Sequence, residues 1–223
     1  SKGFHPLLNK KGNGIHPNCN IWRAPKGQKR KGKIGRLTQP RSPPISFVVS
    51  KLFDQNMLPA IYFIFSRKGC DRALENINQL TLVNYKEANL ISQKLRQYQK
   101  YSQVGIKDQS LFDALKRGIA SHHAGLLPAW KELVEDLFQE GLIKVVFATE
   151  TLAAGINMPA RTTVISSLSK RTENGHRLLF SSEFLQMSGR AGRRGKDTQG
   201  YVLTVQNRFE GAKEASILAL SKP

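Results

Sequence analysis

Beyond residue 43 the apolar positions form two alternating kinds of run. Ile61-Tyr-Phe-Ile-Phe65 is continuous and β-prone, as expected of a strand covered on both faces. Ala73, Leu74, Ile77 and Leu80 follow it at helical spacing. Gly118 to His122 predicts a second, shorter strand. Trp130, Leu133, Val134, Leu137 and Phe138 recur at i, i+3, i+4, i+7 and i+8, one buried helix face. Pro128 suits the first turn of that helix and Gly141 its stop. Strands are predicted again at Ile143 to Ala148, Thr162 to Ser167 and Tyr201 to Val205, with a small extra one at His176 to Phe180. Residues 44–55, 85–101, 182–189 and 209–219 read as helices, and no internal repeat is visible. This alternation predicts an α/β fold: a single doubly wound, mostly parallel sheet with helices on both faces.

The first 43 residues break the pattern. Residues 9–43 are rich in Gly, Pro and Asn, show no sustained period, and read as a mobile, basic, irregular arm or inter-domain linker. The expected division is therefore 1–43 for the arm and 44–223 for the folded domain.

Charge sharpens this contrast. The 223 residues carry 35 Lys and Arg against 16 Asp and Glu, a formal +19. Residues 1–50 hold 11 of the basic residues and no acid, leaving a net +8 on the remainder. Such an excess attracts polyanions, because neutralised phosphates release their condensed counterions; a solvated linker fits the same composition. At 39% hydrophobic the chain can fill a core, which argues against wholesale disorder. The longest apolar run, Leu58 to Phe65, is too short to span a bilayer and contains Pro59. The chain opens on Ser1 with no hydrophobic leader, so its start reads as a fragment boundary. Two cysteines, Cys19 and Cys70, make no disulfide framework and favour a reducing compartment.

Two apparent signals fail on chemistry. Gly27 to Lys33 has most of a phosphate-binding loop, but Ile34 lacks the hydroxyl for magnesium and no strand leads into it. His5, His16 and Cys19 lack a second Cys/His pair to complete a tetrahedral metal site.

Open parallel sheets bind ligands outside the carboxyl ends of their strands. The informative segments are then Ser66 to Gly69, His122 to Leu126, Thr149 to Pro159, and the region Gly189 to Gly195. The strongest is Gln186-Met-Ser-Gly-Arg-Ala-Gly-Arg-Arg-Gly195, with three Gly and three Arg between Gly189 and Gly195. Glycines at that spacing permit tight turns, and arginine forks suit bidentate phosphate contacts. A basic surface turn is the plain alternative.

Gln186 to Gly195 resembles motif VI of superfamily 2 helicases, in the form seen in superkiller-like DExH-box members. Phe147-Ala-Thr-Glu-Thr-Leu-Ala-Ala-Gly-Ile-Asn-Met-Pro159 resembles motif V of that family. Ser121-His-His-Ala-Gly-Leu126 resembles its H-H-A-G-L segment, and Phe63 to Arg67 sits where motif IV falls. The segments occur in family order, and the longer stretches are most similar to cyanobacterial and chloroplast members. Residues 1–43 carry no family motif.

The resemblance implies a RecA-like domain, the second of two that share an ATP site. Arg190 and Arg193 would reach ATP as arginine fingers, and Gln186 would organise the γ-phosphate and water. Gly155 and Asn157 would face the nucleotide. Ser66, Arg67, His123, Gly125 and Thr149 would meet the nucleic-acid backbone. His123 has a second reading, as a residue that fixes its own loop. Glu150, being anionic, is expected to orient neighbours, Arg194 to face solvent as readily as ligand, and Cys70 to pack. The P-loop and the Asp-Glu-x-His magnesium motif of a first domain do not occur here, so the chain alone is expected not to hydrolyse ATP. ATP and Mg2+ are the implied ligands, with Mg2+ held mainly by the first domain. RNA, the first RecA-like domain and an RNA-processing complex are the implied partners, without a membrane. A bacterial cytoplasm or an organellar stroma is the implied location, and 3′ to 5′ movement the implied direction. A DNA repair helicase, a non-catalytic nucleic-acid-binding module and a docking scaffold are the alternatives.

Overall fold

The structure, a computed structural model, describes residues 4–22, 42–101, 109–155, 158–173, 175–207 and 210–221. These residues form two compact units, one of Pro44–Ser166 with Gln186–Leu203, the other of Ser1–Pro43, Ser167–Leu185 and Thr204–Pro223.

The first unit holds the sheet. Strands β1 (Ala60–Phe63), β2 (Ile119–His122), β3 (Val145–Ala148) and β4 (Thr162–Ile165) are buried at every residue. With β7 (Tyr201–Thr204; β5 and β6 follow below) they make a five-stranded sheet in the order β2-β3-β1-β4-β7. Pairing is parallel, with Ile61 opposite Val146 and Thr163, and Ala120 opposite Val146. A strand buried on both faces needs apolar side chains in both orientations, which explains continuous runs in place of alternation. Tyr62 and Phe147 extend that layer with ring centroids 5.5 Å apart.

Helices α1 (Ile45–Asp54), α2 (Arg67–Asn76), α3 (Tyr85–Tyr101), α4 (Gln109–Lys116) and α5 (Pro128–Gln139) connect and cover the strands. Ser66 caps α2, its Oγ accepting from Gly69 N at 3.1 Å. Asn84 and Glu87 exchange side-chain bonds at the start of α3, a reciprocal cap. In α5, Trp130, Val134, Leu137 and Phe138 are buried while Leu133 is only half-buried. Pro128 stands in its first turn and Gly141, at φ +77°, just beyond its end.

Several boundaries differ from the sequence pattern. Helix α2 ends at Asn76, and Leu80 lies beyond it in a turn whose N–H bonds to Ile77 O. Helix α4 was not predicted, although Leu111, Phe112, Ala114 and Leu115 bury one face of it. A short helix α6 (Thr151–Gly155) occupies part of the segment expected to be a loop after β3.

The second unit contains an antiparallel ribbon of β5 (Ser169–Thr172) and β6 (Gly175–Leu178), with Lys170 opposite Arg177. Only β6 was expected, because β5 is polar along its whole length. Helix α7 (Ser181–Ser188) begins here, and α8 (Ala212–Leu220) follows the sheet. Buried Glu210 accepts from Leu168 N at 2.6 Å, from Ser167 Oγ and Asn207 Nδ2 at 3.0 Å, and from Ser169 Oγ. Residues 4–22, expected in large part to belong to an irregular arm, close a hydrogen-bonded loop: Asn9 N bonds Gly14 O and His16 N bonds Leu7 O. A 3-10 turn, Pro17–Trp22, ends it, with the Cys19 thiol on Pro6 O. The cationic stretch 23–41 lies outside the described residues.

Candidate functional site

The carboxyl ends of β1, β3 and β2 are neighbours, so the segments following them adjoin. Thr149 N donates to His122 O at 3.4 Å and Ile64 N to Ala148 O at 2.8 Å, which laces the three ends together. Ser66 and Arg67 are exposed at the start of α2. Thr149 Oγ1 lies 2.9 Å from Thr151 Oγ1, and Glu150 beside it is half-buried.

The tandem histidines are turned inward. His122 Nε2 lies 2.8 Å from Glu135 Oε1, and burial pushes its pKa down while Glu135 pulls it up. His123 is 5% exposed, its Nδ1 accepting from Gly125 N at 3.2 Å. Its proton is therefore on Nε2, which donates to Asp71 Oδ1 at 3.0 Å. With both ring nitrogens engaged, the geometry favours the loop-fixing reading of His123 over a direct phosphate contact. A Cβ at Gly125 would stand 3.1 Å from His123 Nδ1 and 3.3 Å from Arg67 Cδ. Gly125 thus lets the Arg67 stem lie against the histidine loop.

The glycine and arginine segment begins at the end of α7, where Gln186 is exposed and Met187 buried. It is sewn to the residues leading into β4: Ala160 N donates to Arg190 O at 2.9 Å and Gly192 N to Ala160 O at 2.7 Å. Gly192 has φ +91°, a turn few other residues adopt. A Cβ at Gly200 would stand 2.6 Å from Gly192 N, so the chain returning to β7 passes backbone against backbone.

Each finger candidate has a defined hold. Arg190 Nε donates to Ala153 O of α6 at 3.2 Å, and Nη2 reaches the same carbonyl. Arg193 forms a fork with Asp197, Nε to Oδ2 and Nη2 to Oδ1, both at 2.7 Å. Arg161 Nε lies 3.1 Å from the same Oδ1. The bonds from Arg193 hold the Asp197 carboxyl down at about 2, and Asp197 in turn raises the Arg193 pKa. Arg193, Arg161, Lys144, Lys196 and Asp197 line a cavity of about 460 Å³. That cavity lies at the amino ends of β1, β3 and β4, since Pro59, Lys144 and Arg161 precede those strands. Ser66, His123 and Thr149 are at the opposite, carboxyl ends. Arg194 is exposed, and Gly155 closes α6. Asn157 lies outside the described residues.

Sequence reasoning did not find Asp197, Arg161 or Gly200. Asp197 had one readable signal, its place four residues after Arg193.

A parallel α/β sheet with paired arginines on a glycine loop defines a class, and comparison with known proteins gives the same class. Residues 72–195, more than half of the chain, match the helicase conserved C-terminal domain, and the chain belongs to that family. It is 48% identical over 191 residues to a chloroplastic DExH-box ATP-dependent RNA helicase, DExH15, of Arabidopsis thaliana, covering 86% of this chain and 16% of that protein. Over 186 residues it is 41% identical to the probable helicase HelY of Mycobacterium tuberculosis, covering 80% of this chain and 20% of the relative. The antiviral helicase SKI2 of Saccharomyces cerevisiae is 42% identical over 165 residues, covering 71% of this chain and 13% of its own length. The chain spans a fifth or less of these relatives. No helix among the described residues is long and apolar enough to cross a membrane.

Proposed function

We propose that this chain is the second RecA-like domain of an ATP-dependent RNA helicase that moves 3′ to 5′ along its strand. The observation that carries the reading is the loop after α7, where Arg190 and Arg193 are each anchored by a defined acceptor in a chain of the helicase C-terminal family. Residues 44–223 supply the domain, and residues 1–43 the basic arm or linker.

Arg190 and Arg193 stabilise charge on the transferring phosphoryl group of ATP, a role worth about 10³–10⁵ in rate where arginine fingers are known. Gln186 orients the γ-phosphate and its water, and Gly155 and Asn157 face the nucleotide. Arg67, Ser66 and Thr149 donate to backbone phosphates without reading sequence, while His123 and Gly125 shape the loop beside them. The first RecA-like domain of the same polypeptide supplies the remainder of the ATP site. Mg2+ would be held mainly by the first domain. Among the described residues no three carboxylate, His or Cys side chains gather as a metal site, and Asp197 is already engaged by two arginines. RNA is favoured over DNA because the similar chloroplastic protein of Arabidopsis thaliana is an RNA helicase by name. An RNA-processing assembly in a bacterial cytoplasm or an organellar stroma is the corresponding setting.

The test compares phosphate release, with and without RNA, by this 223-residue chain and by the full-length protein, circular dichroism confirming that the chain is folded. Turnover in the full-length protein alone is expected. RNA-stimulated turnover by the folded chain alone sinks the shared-site reading.

A further inference from the structure

The side chain of Asp197 has no exposed surface, yet it is charged and fully engaged. Its Oδ2 accepts from the Arg193 backbone N at 3.1 Å and from Arg193 Nε at 2.7 Å, and its Oδ1 from Nη2 at 2.7 Å. Arg161 approaches the same Oδ1 at 3.1 Å and also donates through Nη1 to Asn56 O at 2.6 Å. One buried carboxylate thus pins both the backbone and the guanidinium of Arg193, and a second arginine, itself tied to the chain before β1, adds its charge beside the carboxylate without a hydrogen bond from Nε.

A guanidinium is planar and carries its donors in a fixed fork. Once the Nε–Nη2 edge is locked onto Asp197, the orientation of the whole plane is set. The donors left for another acceptor are those of Nη1 and the outer proton of Nη2. Arg193 keeps 23% of its side-chain surface exposed and lines the cavity described above. An arginine that must meet a developing phosphoryl charge acts best when its dipole is already aimed, with no reorganisation left to the reaction step. The bland reading is that the ion pair fastens the loop to the chain entering β4, which the Ala160 bonds to Arg190 and Gly192 already do.

We propose that Asp197, backed by Arg161, is a positioning residue that holds Arg193 with its Nη1 end toward the phosphoryl group of ATP. This rests on the reading of Arg193 as an arginine that meets ATP. Asp197 touches neither substrate nor strand; it acts through Arg193 alone.

The experiment uses the full-length protein and measures RNA-stimulated ATP hydrolysis, RNA affinity and Tm for wild type, Asp197→Asn, Arg193→Ala and the double variant. Asp197→Asn is expected to lower kcat about 10-fold or more, with the KM for ATP and the RNA Kd unchanged; the Tm falls with loss of the charged pair, so the assays are run well below it. The double variant is expected to match Arg193→Ala, because Asp197 has no other route to the chemistry. A wild-type kcat for Asp197→Asn, with turnover lost in Arg193→Ala, overturns the positioning role alone. Loss of RNA affinity in step with kcat in Asp197→Asn assigns the pair to fastening and also overturns it. Turnover that survives Arg193→Ala removes the underlying reading and the proposal with it. If Asp197→Asn does not fold, Asp197→Glu carries the test. It keeps the charge but moves the acceptor by one methylene, and is expected to keep Tm and RNA affinity while lowering kcat several-fold; a wild-type kcat overturns the proposal.

Discussion

The guanidinium of Arg190 donates to the backbone carbonyl of Ala153, joining the loop after α7 to the short helix after β3. Two sequence segments separated by 37 positions thereby share one arginine. Arg190→Lys retains the charge but loses the planar fork, and so cannot hold the carbonyl and present a second set of donors together. In the full-length protein this substitution is expected to lower kcat by about 10² or more, in the range seen for removal of one transition-state donor. The check is steady-state phosphate release, with RNA affinity measured alongside and expected to stay level. A kcat within threefold of wild type would mean that charge alone suffices.

Gly200 passes so close to Gly192 that a methyl group has no room, with backbone atoms at 2.6, 2.7 and 2.8 Å from the ideal Cβ. Backbone cannot rotate aside as a side-chain tip can. Gly200→Ala is therefore expected to destabilise by about 1–3 kcal/mol, the usual cost of overpacking. Urea denaturation of the variant measures it, and an unchanged midpoint would show that the loop yields.

Much of the sheet was legible because buried parallel strands are written as continuous apolar runs, as at Ile61 and Val146. The ribbon strand β5 was not, since Ser169 to Thr172 buries no stripe. Helix α4 carries an apolar face, Leu111, Phe112, Ala114 and Leu115, but two turns without a readable cap do not separate helix from strand. Motif positions picked out the segments of the candidate site but gave no side-chain partners. His123 pairs with Asp71, which is 52 residues away, and this contact follows from the order of strands in the sheet. The approach of Gly200 to Gly192 is equally a product of tertiary folding.

The two residues expected at the strand backbone next to α2 should behave differently. Arg67 is exposed and its loss removes one phosphate contact, so Arg67→Ala is expected to flatten the log Kd against log salt plot by about 0.7 for a single strand. His123→Ala removes a buried, doubly bonded ring and is expected to cost about 1–3 kcal/mol of stability while leaving the slope unchanged. RNA titrations at several salt concentrations, paired with denaturation, separate the two effects. A slope change for His123→Ala would restore it as a phosphate ligand.

Asp197 makes stability depend on acid. Its carboxyl is held at about 2 in the fold against 3.8 for a free side chain, chiefly by the Arg193 bonds. A depressed folded value means stabilisation that is fully present above the free value and is lost as pH falls toward 2. Glu183, held at about 2 by Arg177 first and then Lys170, adds to the same acid-side loss. Urea midpoints measured from pH 5 downward should therefore fall more steeply for wild type than for Asp197→Asn. Parallel curves would show that the carboxylate has no net charge-state preference for the fold.

The central claim is that arginines of this domain serve an ATP site completed elsewhere in the polypeptide. RNA-stimulated phosphate release by full-length protein carrying Arg193→Ala, beside wild type, tests it most directly. Turnover is expected to fall to the no-RNA background while RNA binding stays at the wild-type level. Turnover within a few-fold of wild type, or loss of RNA binding in step with turnover, would contradict it.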